Sequence, residues 1–209
     1  TGRMIRHFEK KYPDFKGKYH TYRILPSGLK KENVSEFSVP DQFVRVLYSG
    51  GIAPWQKIDM VLDSIERNQS DRILYTILTG KPDFFKQKMK RYGIDSQRVT
   101  VHSVDPSELY KYYREADYGF ILRDDNPVNN VANPTKLIEY LYYGMIPIML
   151  SKNIGDYPEM DIDYLPLDQF SESIPKPLRK SEKNMQVARM MISQNNASDL
   201  LQLFESISC

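Results

Sequence analysis

From about residue 40 onward, short runs of apolar and β-branched residues alternate with longer segments whose apolar positions recur at i, i+3, i+4 and i+7. The runs are Phe43 to Tyr48, Ile73 to Leu78, Arg98 to His102, Tyr118 to Leu122, Ile146 to Leu150 and, more weakly, Tyr164 to Leu167; their length and composition predict strands. Ile58, Val61, Leu62 and Ile65 form one apolar stripe and Leu109, Tyr112, Tyr113 and Ala116 another, each predicting an amphipathic helix. Strand and helix in alternation mark an α/β domain on a parallel sheet. Right-handed crossovers then favour a doubly wound sheet in the order 3-2-1-4-5-6, with the strands at Phe43, Tyr118 and Ile146 adjacent. In that order the first and fourth strands flank the switch point, so ligand contacts are expected from the loops after Tyr48 and Leu122.

Local chemistry marks several boundaries. Asp105, Pro106 and Glu108 read as an Asp-x-x-Glu capping box with proline at the first helical position, and Gly93 after Tyr92 reads as a helix stop. Ahead of the alternating region the pattern predicts an amphipathic helix over Met4 to Lys11, a short strand near Thr21 to Leu25 and a polar linker from Ser27 to Pro40. Behind it, Leu178 to Ser208 reads as two helices, with Met185, Ala188 and Met191 on one and Leu200, Leu201, Leu203 and Phe204 on the other. The pattern therefore divides the chain into a lead-in over 1–40, a core α/β domain over 41–177 and C-terminal helices over 178–209.

Composition narrows the class. The chain has 209 residues, 41% hydrophobic and 27% charged, which suits one compact unit with an accessory stretch and is too apolar for disorder. No apolar run approaches the ~20 residues of a spanning helix. The single cysteine, Cys209, excludes an internal disulfide framework, and His7, His20 and His102 are too scattered for a zincin helix, so no metal site is expected. A reducing, cytoplasmic setting fits. Net charge is +2, yet nine basic residues between Thr1 and Lys31 face only Glu9 and Asp14, so that stretch carries +7 and the rest −5. The lead-in is read as a solvated linker face, with contact to an anionic membrane surface as the alternative. Because the chain opens on Thr1, it is expected to be a piece of something longer. Asn33, Asn68 and Asn196 match the N-x-S/T pattern by sequence alone.

Two segments carry candidate chemistry. Ser49-Gly50-Gly51-Ile52-Ala53-Pro54 follows the first strand, where a doubly wound fold turns backbone toward a phosphate, and its paired glycines permit close approach; a plain tight turn is an equal reading. The dinucleotide fingerprint lacks its third glycine and no P-loop lysine motif occurs. In the second segment Asn133 is expected to cap a helix opening at Pro134, so that the amides of Thr135 and Lys136 face outward at the positive end of the helix dipole. That is an anion site. Glu139, one turn inside, is placed to accept hydrogen bonds from ribose hydroxyls; pairing with Lys136 on a solvated face is the equal alternative. Lys57 is a candidate point charge for the same phosphates, or a surface lysine. Arg123, Asp124 and Asp125 border the crevice, the aspartates reading as solvated loop charges ahead of a metal or acid/base pair.

These residues carry a resemblance. Tyr48-Ser49-Gly50-Gly51, Lys57, Ala116-Asp117-Tyr118 and, above all, Asn133 through Leu141 followed by Gly144, Ile146, Pro147 and Ile148 resemble the nucleotide-sugar half of a GT-B glycosyltransferase. The nearest kin are glycosyltransferase family 4 and related capsule and cell-surface polysaccharide enzymes. The resemblance runs from about Phe43 to Tyr157, and Leu25-Pro26-Ser27-Gly28 resembles the inter-domain connection of such enzymes. It implies an acceptor-binding half upstream, a nucleoside diphosphate sugar as donor, a glycan or lipid-linked acceptor, no cofactor, no metal and no nucleic acid. By the same resemblance Glu139 binds the donor ribose, Pro134, Thr135 and Lys136 open the helix that meets the diphosphate, Lys57 neutralises it, and Val101 to Ser103, with His102 as a pocket wall, hold the base. A partly buried structural histidine is an equal reading of His102.

Two positions depart from the family pattern. Val131 stands eight residues before Glu139, where the family has a further glutamate, and Gly51 stands six residues before Lys57, where an arginine is frequent. Arg123 is the candidate to supply that missing positive charge. The resulting expectation is the donor-binding domain of a glycosyltransferase at the cytoplasmic side, with the isolated chain inactive. A nucleotide-sugar epimerase of the same plan and a silent nucleotide-binding or scaffolding domain are the rivals.

Overall fold

The computed structural model describes residues 1–26, 29, 42–172 and 180–195. A helix α1 (Gly2–Lys11) leads into β1 (Val44–Ser49), α2 (Ile58–Arg67), β2 (Ile73–Leu78), α3 (Pro82–Arg91) and β3 (Val99–His102). There follow α4 (Leu109–Glu115), β4 (Tyr118–Ile121), α5 (Pro127–Val131), α6 (Thr135–Tyr142), β5 (Ile146–Met149), β6 (Leu165–Pro166), α7 (Leu167–Glu172) and α8 (Glu182–Ser193). The six strands form one sheet in the order β3-β2-β1-β4-β5-β6, every pairing parallel. This is the doubly wound α/β arrangement anticipated from the alternating pattern, with its reversal between β1 and β4.

Alternation within β1 shows how two cores are divided by one sheet. Val44, Val46 and Tyr48 face a layer built by Ile58, Val61, Leu62 and Ile65 of α2, Phe85 and Met89 of α3 and Phe170 of α7. Leu47 faces the opposite layer, made by Tyr113 of α4, Leu137, Ile138 and Leu141 of α6 and Met185, Ala188 and Met191 of α8. Successive residues of a strand point to opposite faces, so a central strand covered on both sides is buried along nearly its whole length, with Arg45 alone partly exposed in β1. Gly119 in β4 is required by the second layer: a Cβ there would lie 2.4 Å from the Tyr140 ring. Gly144 ends α6 at φ +66°, a conformation that favours glycine.

The flanks differ from expectation. Met4 to Lys11 is helical, but no strand forms over Thr21 to Leu25. There the Arg23 N–H donates to Asn195 Oδ1 at 2.7 Å and the Asn195 amide returns a bond to the Arg23 carbonyl at 2.9 Å, so a side chain satisfies this backbone in place of a neighbouring strand. At Asp105 only half of the capping box forms. Asp105 Oδ1 accepts from the Ser107 N–H at 2.8 Å, whereas Glu108 turns to Lys111 and the segment opens with a 3-10 turn over Pro106–Glu108. Gly93, at φ +65°, does end α3 as anticipated. One C-terminal helix is present as α8; the helix expected around Leu200 to Phe204, and nearly all of the linker from Ser27 to Pro40, lie outside the described residues, as do Asn33 and Asn196. Asn68 is 7% exposed and its amide donates to the Ser64 carbonyl at 3.1 Å, which shuts that sequon inside the fold. Among the described residues no helix is long and apolar enough to cross a membrane.

Candidate functional site

The crevice opens at the carboxyl ends of β1 and β4, where the doubly wound topology separates the two halves of the sheet. On the β1 side, Gly50 continues the ladder, its N–H donating to the Leu78 carbonyl at 3.0 Å, so that amide is committed to the sheet and does not point at a ligand. The Tyr48 hydroxyl donates to the Gly51 carbonyl at 2.6 Å and pins the turn, while a Cβ at Gly51 would meet nothing within 4 Å. The open side of the glycine loop is therefore at Gly51.

Lys57 closes this loop and caps α2 with φ 53° and ψ 44°, the one left-handed non-glycine residue among those described. That conformation costs an L-residue ~1–2 kcal/mol. Its ammonium meets Asp124 Oδ2 at 2.7 Å, with side-chain exposures of 30% and 47%. The pair ties the loop after β1 to the loop after β4, the two segments expected to converge. Asp125 turns away, accepting from the Asn130 and Asn153 amides at 2.8 and 3.0 Å. The two aspartates thus serve separate contacts, and among the described residues no group of three His, Cys, Asp or Glu side chains could hold a metal. Arg123 is half-buried, and burial lowers its pKa, partly offset by the neighbouring Tyr48. Among the described residues it forms no ion pair, which leaves a half-buried guanidinium at the crevice without an acid.

Opposite lies the start of α6. Asn133, expected as its cap, does not perform that role: Asn133 Oδ1 accepts from the Asp156 N–H at 2.9 Å and its amide reaches Asp156 Oδ2 at 3.4 Å. Pro134 occupies the cap position instead, with extended φ −65° and ψ 128° and no side-chain hydrogen bond to the helix. The Leu137 N–H donates to the Pro134 carbonyl at 3.1 Å. Thr135 and Lys136 are the first helical residues, so their amides have no acceptor within the helix. An uncapped helix end is a better anion site than the capped one predicted.

Glu139 does pair with Lys136, at 2.9 Å, but not on a solvated face: the Glu139 side chain is 12% exposed. Both groups converge on Tyr113 of α4, whose hydroxyl donates to Glu139 Oε2 at 3.3 Å and accepts from Lys136 Nζ at 2.9 Å. Ser49 Oγ, at the end of β1, lies 3.2 Å from the same hydroxyl. Burial, and then the Glu139 charge, raise the Tyr113 pKa, so the phenol stays protonated. Beneath this cluster Lys180 Nζ donates to the Tyr113 carbonyl at 3.0 Å and to that of Ala116, and burial lowers its pKa to about 8.

Tyr113 and Lys180 were missed by sequence reasoning, and Ser49, though part of the candidate glycine loop, was not read for its hydroxyl. Tyr113 was absorbed into the apolar stripe of α4; the one available signal was that a buried tyrosine, unlike phenylalanine, needs a partner for its hydroxyl. His102 and Ser103 end β3, two strands from β1 or ~10 Å across the sheet. Both are exposed, and the His102 ring lies 5.7 Å from Tyr112, which corrects the partly buried reading of that histidine. Val131 ends α5, and its carbonyl accepts from the Thr1 hydroxyl at 2.6 Å.

No protein-family model and no curated protein sequence matches the chain. Solved structures do match its fold. The GtfA/B complex aligns with 99% of this chain and 44% of its own at 16% identity and TM-score 0.68. TarM of S. aureus, a mutant in complex with Fondaparinux, alpha-GlcNAc-glycerol and UDP, aligns with 94% of this chain and 41% of its own at 11% identity and TM-score 0.64. HepE of Anabaena, in complex with UDP and glucose, aligns with 80% of this chain and 48% of its own at 14% identity and TM-score 0.55. The chain thus spans less than half the length of each of these proteins, and at these identities the likeness is one of fold: a Rossmann-like half of the GT-B fold.

Proposed function

We propose that the chain is the donor-binding domain of a glycosyltransferase that moves a sugar from a nucleoside diphosphate to a glycan or lipid-linked acceptor. The observation that carries this reading is the meeting, at one switch point, of an uncapped helix end, an Arg123 with no acid partner among the described residues and a carboxylate one turn inside that helix. When a glycosidic bond to a nucleoside diphosphate breaks, the departing diphosphate gains negative charge. The Thr135 and Lys136 amides, Arg123 and Lys57 meet that charge with donors already in place. Glu139 accepts from the ribose hydroxyls, and the exposed end of β3 at His102 and Ser103 lies at a distance suited to the base. UDP in the TarM and HepE structures is consistent with this class of ligand. The acceptor and further catalytic groups then belong to a second domain, the isolated chain is expected to turn over no donor, and residence at the cytoplasmic face of a membrane is part of the same proposal.

A thermal-shift panel of UDP, GDP, ADP and their sugars against inorganic phosphate tests it. A nucleoside diphosphate at 100 times its Kd stabilises by about 2.7 kcal/mol, a shift of several degrees for a chain of this size. No shift with any diphosphate at millimolar concentration refutes the reading. Val131 at the expected glutamate position favours one second reading, a domain that binds nucleotide but has lost transfer. Donor hydrolysis by the protein joined to its acceptor half separates the two.

A further inference from the structure

We infer that Tyr113 is the positioning residue of this site, holding Glu139 toward the ribose and Lys136 beside it; the inference rests on the donor-binding reading above. A phenol offers one proton and two acceptor lone pairs. In the structure all three are used. The proton goes to Glu139 Oε2 at 3.3 Å, one lone pair takes Lys136 Nζ at 2.9 Å, and Ser49 Oγ stands 3.2 Å away to supply the third bond. Three segments, the end of β1, the body of α4 and the first turn of α6, are thereby referred to a single oxygen. The ring is fixed independently, with Tyr140 and Tyr143 each 5.6 Å from it, centroid to centroid.

This arrangement answers a physical difficulty of the site. A carboxylate one turn inside an anion-binding helix end repels the diphosphate it is meant to accompany. Lys136, 2.9 Å away, offsets that charge, and the Tyr113 hydroxyl keeps the pair together on the oxygen Oε2. Glu139 is thereby held in one orientation before the nucleotide arrives, and a hydrogen-bonding group whose rotamer is fixed in advance loses less entropy on binding. Tyr113 touches neither phosphate nor sugar in this scheme. It acts through Glu139.

The test compares Tyr113→Phe with the parent in calorimetric titrations of UDP, GDP and ADP, their 2′,3′-dideoxy counterparts and inorganic pyrophosphate. The parent is expected to prefer the ribose form of the nucleotide it binds. In the variant, which keeps the ring packing, that preference falls by about tenfold, the scale of one hydrogen bond to a charged group, while pyrophosphate affinity stays within about twofold. A purely structural role for Tyr113 moves pyrophosphate and nucleotide together. If the parent shows no preference for ribose, the Glu139 assignment fails and the inference with it. If the parent discriminates and the variant discriminates equally, the inference about Tyr113 fails alone. Should Tyr113→Phe melt below the assay temperature, Ser49→Ala, which removes only the third bond, carries the same comparison; an unchanged ribose preference there overturns the three-bond scheme.

Discussion

The pairing of Lys57 with Asp124 leads to an unusual expectation: deleting the aspartate tightens diphosphate binding. In the structure the ammonium is held at 2.7 Å by a carboxylate that is 47% exposed. A diphosphate must draw Lys57 away from Asp124 or bind beside that carboxylate. An ion pair exposed to this degree is worth ~0.2–1 kcal/mol, so Asp124→Asn is expected to raise diphosphate affinity by about 1.4- to 5-fold. Lys57→Met removes a charged donor instead. At ~1.5–3 kcal/mol for a hydrogen bond between charged groups, it is expected to weaken binding by about 10- to 150-fold. Both variants are read by titration with inorganic pyrophosphate and UDP near 0.15 M salt, where screening of exposed charges is set by a Debye length of ~8 Å. Lys57→Met binding as tightly as the parent, or Asp124→Asn binding more weakly by fivefold, would falsify the assignment of Lys57 to the phosphates. The left-handed backbone of Lys57 sharpens the comparison, since strain of this kind tends to persist where a side chain is needed in one place.

Three further expectations follow from other parts of the structure. Lys180 has its pKa lowered to about 8 by burial, whereas an unfolded lysine titrates near ~10.4; between those values the unfolded chain binds more protons, so this group makes stability rise with pH by at most ~1.4 kcal/mol per unit. Melting curves from pH 7 to 10 should show a steeper gain in the parent than in Lys180→Met, and parallel curves would refute the assignment. Gly119→Ala places a Cβ 2.4 Å from the Tyr140 ring, next to Glu139 on α6, and is expected to cost ~1–3 kcal/mol in denaturant melts; an unchanged midpoint would show that Tyr140 can yield. Pro134→Asp supplies the cap that α6 lacks: the ~1 kcal/mol of the cap is largely offset by ~0.4–1 kcal/mol lost with the proline's rigidity, so stability moves little. Its carboxylate nevertheless occupies the amides proposed for phosphate, and pyrophosphate affinity should fall by at least about fivefold, which equals the ~1 kcal/mol of the cap. Unchanged affinity would mean that the diphosphate does not use this helix end.

The sheet was legible because its evidence is periodic. Each strand is a short apolar run, each layer helix a stripe at helical spacing, and right-handed crossover leaves few orders for six parallel strands. Both crevice loops were legible for the same reason, since topology locates them without reference to side chains. What the sequence concealed was the choice of partner. Asn133 has the chemistry of a cap and stands where one belongs, yet Asp156, twenty-three positions on, takes its amide and its carbonyl oxygen. Glu108 stands at capping-box spacing and turns to Lys111. At Tyr113 the helical stripe disclosed burial but not the hydroxyl's destination, because Ser49, Lys136 and Glu139 reach it from other elements. Spacing reports which residues can meet along one element. It does not rank those contacts against longer-range competitors.

The polar arrangement has a logic that no one residue expresses. A crevice that receives a doubly charged group needs cations, and cations crowded together without it repel one another. Here two of them are matched with acids: Lys57 with Asp124 at 2.7 Å and Lys136 with Glu139 at 2.9 Å. The first pair is exposed and weakly held, so it can exchange partners when an anion enters. The second is largely buried and bound to a tyrosine hydroxyl as well, so separating it is costly and it remains as a fixed unit. Arg123 has no acid among the described residues, and the amides of Thr135 and Lys136 carry only the partial charge of a helix end, which does not titrate. One exchangeable cation, one cation unmatched among the described residues, one fixed dipole and one neutralised carboxylate are the complement that the proposed donor, a diphosphate joined to a polyhydroxylated ring, requires. Under that proposal the carboxylate is what separates the donor from a simple phosphate.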